Sequence, residues 1–259
     1  LEVGRSCIVV ECGKHKVMMD CGVKLEKAGD EYPLINAELA RSLSAVVITH
    51  AHLDHIGFLP VLFKLGYEGP VFATKPTRDL AQLLLADAHK IAITEKKQIF
   101  SEQDLLNCLK HFEYLEYRQK KKIAPDTFVT LFNTGHVVGS SGILLQHCEE
   151  ALYYTGDLCM RSSNVLNGAD TGIGKIDYLI IESTYCSKKD VNPSLKVSSK
   201  QLADVIKQIM HRGGKVLIPT FGVGRGMEIM MTIDNYIKSG YLPKVPAYVD
   251  GMITKANKI

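Results

Sequence analysis

Thr49-His50-Ala51-His52-Leu53-Asp54-His55 follows directly on Ala45-Val46-Val47-Ile48, and the reading of this junction decides the fold. The apolar run reads as a buried strand, and the loop leaving it gathers three imidazoles and a carboxylate within six residues. Neutral imidazole and carboxylate are ligands that zinc accepts. A loop at a strand end can aim alternate side chains at two neighbouring ions while the following helix fixes the rest. A solvated turn would instead favour Gly, Pro, Asn and Ser. A lone histidine would say little, but an H-x-H-x-D-H array points to a metal centre.

Composition sets the outer limits. A chain of 259 residues with 46% hydrophobic content can bury a large core, as one α/β domain or one domain plus part of another. No stretch approaches the roughly 20 apolar residues of a spanning helix, and no charged region precedes an apolar leader, so neither membrane insertion nor export is indicated. The seven cysteines are odd in number and form no C-x-x-C pair, which suits reduced thiols in a cytoplasmic or nuclear compartment. With a net charge of +3, nucleic-acid binding would have to rest on a local patch. The chain begins at Leu1 without a methionine and stops at Ile259 soon after an apparent strand, as expected of a piece of a longer protein.

Upstream of the cluster, Ser6–Glu11 and Lys16–Asp20 read as a hairpin joined by Cys12-Gly13-Lys14-His15. Asp20, at the end of the second strand and just before Cys21-Gly22, reads from its spacing as a turn cap. Residues 23–44 read as a loop with a short helix. Downstream, Ile56–Leu65 has helical spacing and stops at Gly66, Gly69–Thr74 is a short strand, and Pro76 opens a long amphipathic helix to about Lys96. Residues 102–110 repeat the helical pattern. His15, His89, His111, His147 and His211 lack ligand-type neighbours and read as structural or surface residues. Lys120-Lys121-Lys122, preceded by Arg118, suits a solvated turn, with phosphate contact as the functional alternative.

Phe128–Phe132 is a strand ahead of Asn133-Thr134-Gly135-His136-Val137-Val138-Gly139-Ser140, where glycines on either side of a histidine allow close approach to an ion. Ala151-Leu152-Tyr153-Tyr154 is another, ending in Thr155-Gly156-Asp157. Tyr178–Ile181 reads as a buried strand ending in Glu182-Ser183-Thr184-Tyr185. Val197–His211 and Gly224–Lys238 read as helices on either side of a parallel-type strand, Lys215–Pro219, a small α/β unit. Gly222, Gly224 and Arg225 suit a phosphate-cradling turn or, equally, a packing turn.

Taken in order, H-x-H-x-D-H, the later G-H-x-x-G, T-G-D, E-S-T-Y and G-G-K-V-L-I-P-T-F-G-V-G-R-G resemble the motifs of the metallo-β-lactamase fold and of its β-CASP nuclease branch. The resemblance implies an αββα sandwich over residues 1–193 and the first part of an α/β β-CASP insert over 194–259. It implies that His50, His52, His136 and Asp157 hold one zinc ion, and Asp54, His55 and the bridging Asp157 a second. Asp20 would orient the metal loop, and Asp54, Asp20 and Glu182 would be the catalytic carboxylates, Glu182 working through a histidine further along. Two later histidine motifs of the branch do not occur before Ile259, which leaves the second site one ligand short and the fragment itself inactive.

The implied activity is zinc-dependent hydrolysis of single-stranded RNA by a two-metal-activated water, in RNA 3′-end processing or maturation, with a homodimer or multi-subunit complex as the assembly. A single strand is expected to thread between the two domains. The competing readings are a hydrolase of the same fold acting on a thioester, lactone or lactam, and a silent scaffold subunit.

Overall fold

The computed structural model describes residues 4–25 and 31–259. Residues 1–3 and part of the 23–44 loop lie outside them. β1 (Ile8–Cys12) and β2 (His15–Met19) form the expected antiparallel hairpin, turning at Gly13, whose φ of 61° an L side chain rarely adopts. The chain then runs through α1 (Ala37–Ser42), capped by the Asn36 side chain on the Leu39 N–H, into β3 (Leu43–Val47). β3 lies parallel to β2, and β4 (Val71–Ala73) and β5 (Phe112–Tyr114) continue in parallel, giving a sheet in the order β1-β2-β3-β4-β5.

Between β3 and β4 one helix was expected over Ile56–Leu65, and the structure has two. α2 (Leu53–Ile56) begins inside the metal-ligand motif, and α3 (Leu59–Lys64) restarts with Pro60 in its first turn. A proline lacks the N–H that an unbroken helix would need there, so the break falls just before it. α4 (Lys75–Thr94) is capped by Thr74, and α5 (Glu102–Lys110) by a capping box between Ser101 and Asp104.

The second sheet runs β10-β9-β8-β7-β6. β6 (Lys120–Ala124), β7 (Thr127–Asn133), β8 (Ser141–His147) and β9 (Glu150–Tyr154) form an antiparallel meander, and β10 (Tyr178–Ile180) adds in parallel to β9. Val17, Met19, Ala45, Val47 and Phe72 of the first sheet pack against Val129, Leu131, Ile143, Leu145 and Tyr154 of the second, which is the central core of the sandwich.

Two sequence expectations are corrected in this sheet. The lysine run is a strand and not a turn: Lys120 and Lys122 are exposed at the sheet edge, while Lys121 pairs with Glu113 at 3.0 Å. Edge lysines keep an open ladder from recruiting other strands, a structural use of the charge. β10 was expected to be buried, yet Tyr178 and Leu179 are about half exposed because β10 is the opposite edge of the sheet.

The chain divides into two compact units, one running up to Met160 and including Gly168–Glu182, the other made of Arg161–Asn167 and Ser183–Ile259. In the second, α6 (Leu195–His211), capped by Ser194, and α7 (Arg225–Lys238) enclose Ala203, Ile206 and Leu242; α8 (Ile253–Ala256) is a single turn. Lys215–Pro219 is not a strand. Val216 and Ile218 pack into this cluster while Leu217 is 92% exposed, so the alternation of a strand is kept. A ladder also needs a neighbouring backbone, and among the described residues none pairs with it. In the glycine turn a Cβ added at Gly222 would meet Met252 at 3.1 Å, and Gly224 takes a φ of 83°.

Candidate metal centre

The site residues stand where strands of both sheets end. β3 delivers the H-x-H-x-D-H loop, β7 the Gly135–Ser140 loop, β9 Asp157 and β10 Glu182. Close backbone approaches hold these loops together. Cys21 N–H donates to His55 O at 2.7 Å, Val23 N–H to Leu53 O at 3.0 Å, and Phe58 N–H to Cys21 O at 2.9 Å, so the exit of β2 is laced to α2. Gly22 makes this possible, because a Cβ there would lie 1.6 Å from the Asp54 carbonyl oxygen.

His50, His52, His136 and Asp157 each offer one ligand atom, and these atoms lie within 4.8 Å of one another. His50 Nε2 is 3.1 Å from His52 Nδ1, which is 3.2 Å from His136 Nε2; Asp157 Oδ2 lies 3.4 Å from His136 Nε2 and 3.9 Å from His50 Nε2. Donors at tetrahedral corners around a zinc ion, each about 2.0–2.1 Å from it, stand about 3.3–3.4 Å apart. The measured separations bracket that edge, and nitrogen lone pairs this close repel unless a cation or proton lies among them. The residues therefore fit a metal ion.

The other Asp157 oxygen faces a second set. Oδ1 is 3.4 Å from His55 Nε2, and Asp54 Oδ2 is 3.8 Å from the same nitrogen. Asp157 is thus placed with one oxygen toward each group. On the far side of the ring, His55 Nδ1 is 2.7 Å from Asp20 Oδ2. Asp20 is fully buried, and its carboxylate also accepts from the Thr49 N–H at 2.8 Å and the Tyr154 hydroxyl at 3.0 Å. Asp20 thus lies behind the His55 ring, with contacts to Thr49, His55 and Tyr154. Its left-handed φ of 59° turns it out of β2 into that position.

Burial holds His50 well below the ordinary imidazole range, and the adjacent rings of His55, His52 and His136 push the same way. Burial, with His136 and His55, brings His52 down to about 4, and burial also lowers His136. His55 behaves oppositely. Burial disfavours its charge, but Asp20, Asp157 and Asp54 outweigh that and lift it to about 10. Burial raises Asp157, yet the hydrogen bond and charge of His55 and the charges of His136 and His52 prevail and hold it below the usual carboxylate range. Three neutral imidazoles and an ionised carboxylate are available to a cation in the first set at neutral pH, whereas a cation in the second set must displace the His55 proton.

Glu182 is half-buried at the end of β10, with Oε1 accepting from the Leu158 N–H at 3.2 Å and its own N–H donating to Thr155 Oγ1 at 3.2 Å. Its charge acts on His136. All of the sequence-predicted site residues in this unit therefore converge.

Three hydroxyl residues escaped the sequence reading. Ser140 Oγ accepts from the N–H groups of His136 and Val137 at 3.2 Å each and shapes the His136 loop, Tyr154 reaches Asp20, and Thr49 sits beneath His50. Hydroxyl residues are common in turns, and no spacing rule marks these.

Comparison with known proteins agrees with this geometry. Residues 9–184 match the family described as "Metallo-beta-lactamase superfamily domain". Over its whole length the chain is similar to the transcription termination factor FttA of Methanothermobacter thermautotrophicus, 42% identical over 265 residues and 42% of that protein. It is also similar to the "Probable RNase MJ4" of Methanocaldococcus jannaschii, 40% identical over 263 residues and 59% of that protein. The chain thus spans about two-fifths to three-fifths of the length of these relatives. A crystal structure of a protein of unknown function from Enterococcus faecalis shares the fold, with a TM-score of 0.57 at 16% identity over 91% of this chain and 60% of that one.

Proposed function

The chain belongs to the metallo-β-lactamase superfamily, and on that premise we propose that the protein is a zinc-dependent β-CASP nuclease that hydrolyses phosphodiester bonds of single-stranded RNA. The observation that carries this reading is the placing of Asp157 with one oxygen toward His50, His52 and His136 and the other toward His55 and Asp54. Two zinc ions held there would supply a water deprotonated near neutral pH and would neutralise charge on the phosphoryl oxygens.

The chain's own residues have separate tasks. His50, His52, His136 and Asp157 would hold the first ion. Asp54, His55 and Asp157 would hold a second ion, together with a histidine that the β-CASP resemblance implies. Asp20 keeps His55 turned toward that site, and Glu182 assists protonation of the leaving group through another such histidine. We keep residues 1–193 and 194–259 as the two domains of this reading. The relatives named as a termination factor and an RNase are archaeal proteins, which favours a cytoplasmic RNA-processing role, as a homodimer or within a larger assembly. Among the described residues no helix is long and apolar enough to cross a membrane.

A lactamase-like or thioester hydrolase of the same fold would share the ligands but has no use for the similarity to RNases, and a silent scaffold has no use for neutral imidazoles converging on one point. The full-length protein should be given single-stranded RNA, duplex RNA, a lactam and a thioester at two salt concentrations. Chelator-sensitive cleavage of single-stranded RNA is expected, with duplex cut poorly. Replacing Lys120 and Lys122, both exposed at the sheet edge, by glutamine should flatten the salt dependence if that pair touches phosphates. Equal cleavage of duplex and single strand would contradict the substrate assignment, and turnover of the lactam or thioester alone would remove the protein from the nucleases.

A further inference from the structure

Thr49 precedes the ligand cluster by one residue and is fully buried. Its main chain is pinned on both sides: the N–H donates to Asp20 Oδ1 at 2.8 Å, and the carbonyl accepts from the Ser141 N–H at 2.8 Å and the Ser141 hydroxyl at 3.1 Å. The side chain is confined as well. A Cβ at Gly156 would stand 2.7 Å from Thr49 Cβ and 2.9 Å from its Oγ1, so the glycine of the T-G-D motif leaves the space that the hydroxyl occupies.

Thr49 Oγ1 lies 2.8 Å from Asp20 Oδ2, 3.0 Å from Asp20 Oδ1 and 3.0 Å from His50 Nδ1. A hydroxyl has one proton to give and lone pairs with which to accept, whereas a carboxylate can only accept. The Thr49 proton therefore goes to Asp20, and Oγ1 is left as the acceptor for His50, whose hydrogen must sit on Nδ1. The lone pair of that ring is then on Nε2, the atom that faces His52 and Asp157. His55 Nδ1 is 3.4 Å from the same hydroxyl but 2.7 Å from Asp20 Oδ2, so it donates to the carboxylate. Asp20 thus holds the Nδ1 hydrogen of His55 directly and that of His50 by way of Thr49.

We infer that Thr49 is a positioning residue, the hydroxyl relay through which one buried carboxylate aims a histidine of each metal set. The inference rests on the reading of the cluster as a metal centre. Only a residue that both donates and accepts at one atom serves here: serine retains the relay, and valine, of nearly the same shape, removes it.

The test compares the full-length protein with its Thr49→Val and Thr49→Ser variants. Zinc affinity is read by competition with a chromophoric chelator, and the His50 tautomer by nitrogen–proton correlation spectra of metal-free, histidine-labelled protein. Thr49→Val should bind zinc about 10–100-fold more weakly and move the His50 hydrogen toward Nε2. Thr49→Ser should keep both properties. A valine variant that loses thermal stability alone, with zinc affinity and His50 tautomer unchanged, overturns the inference. So does a wild-type His50 carrying its hydrogen on Nε2, a result that needs no variant to fold. Wild-type protein that binds no zinc at all would instead sink the metal-centre reading beneath it.

Discussion

On the proposed nuclease function, replacing Asp157 by alanine in the full-length protein is expected to lower RNA hydrolysis by about a thousandfold, the scale of losing a preorganised charge at the reacting centre. The reason is geometric. One carboxylate oxygen lies 3.4 Å from His136 Nε2 in the first set and the other 3.4 Å from His55 Nε2 in the second, so one truncation removes a ligand from both. His52→Ala removes a ligand from the first set alone, and activity should fall while metal in the second site is less affected. Neither change empties the apolar core, because both side chains lie outside the clusters that join the sheets, and both variants should remain folded and soluble. Zinc content measured by mass spectrometry is the check. Two ions per chain in both variants would refute the ligand assignment.

Among glycine-to-alanine changes packed against the metal loop, Gly22→Ala is expected to be the most destabilising. The added carbon would sit 1.6 Å from the carbonyl oxygen of Asp54, 2.0 Å from its carbonyl carbon and 2.6 Å from the His55 nitrogen, all backbone atoms that cannot rotate aside. Relief requires parting the exit of β2 from α2, which breaks the Cys21–His55 and Val23–Leu53 hydrogen bonds. Losses of about 4 kcal/mol or more are reserved for such mechanisms and are a large share of the roughly 5–15 kcal/mol that holds a domain folded. Chemical denaturation should show the loss, and zinc content should fall with it because His55 moves with the loop. Gly172→Ala is the control: a Cβ there meets nothing within 4 Å, and its midpoint should stay at the wild-type value.

Much of this arrangement was legible in the residues. Ala45–Ile48 reads as a strand because four consecutive apolar residues suit a doubly covered parallel sheet, and His50, His52, Asp54 and His55 are conspicuous because they are crowded into one loop. What could not be read depends on register. Thr49 reaches Asp20 across 29 residues, and Tyr154 reaches it across 134, through pairings that only the folded sheets define. An isolated hydroxyl in a strand or turn carries no pattern that predicts such a partner. The charge of the lysine run suggests a turn, whereas an edge strand tolerates lysines on its exposed face. Lys215–Pro219 errs in the opposite sense: its alternation is real, but alternation fixes which side chains face inward and not whether a neighbouring backbone is at hand.

The central claim is that His50, His52, His136 and Asp157 are the inner ligands of a zinc ion. The most direct test is an anomalous-difference map, recorded at the zinc absorption edge, from crystals of the full-length protein grown with zinc. The account predicts a peak bonded to His50 Nε2, His52 Nδ1, His136 Nε2 and Asp157 Oδ2, the four atoms that already face one another. A map with no peak among these atoms, or with zinc held elsewhere while this cluster stays vacant, would contradict it.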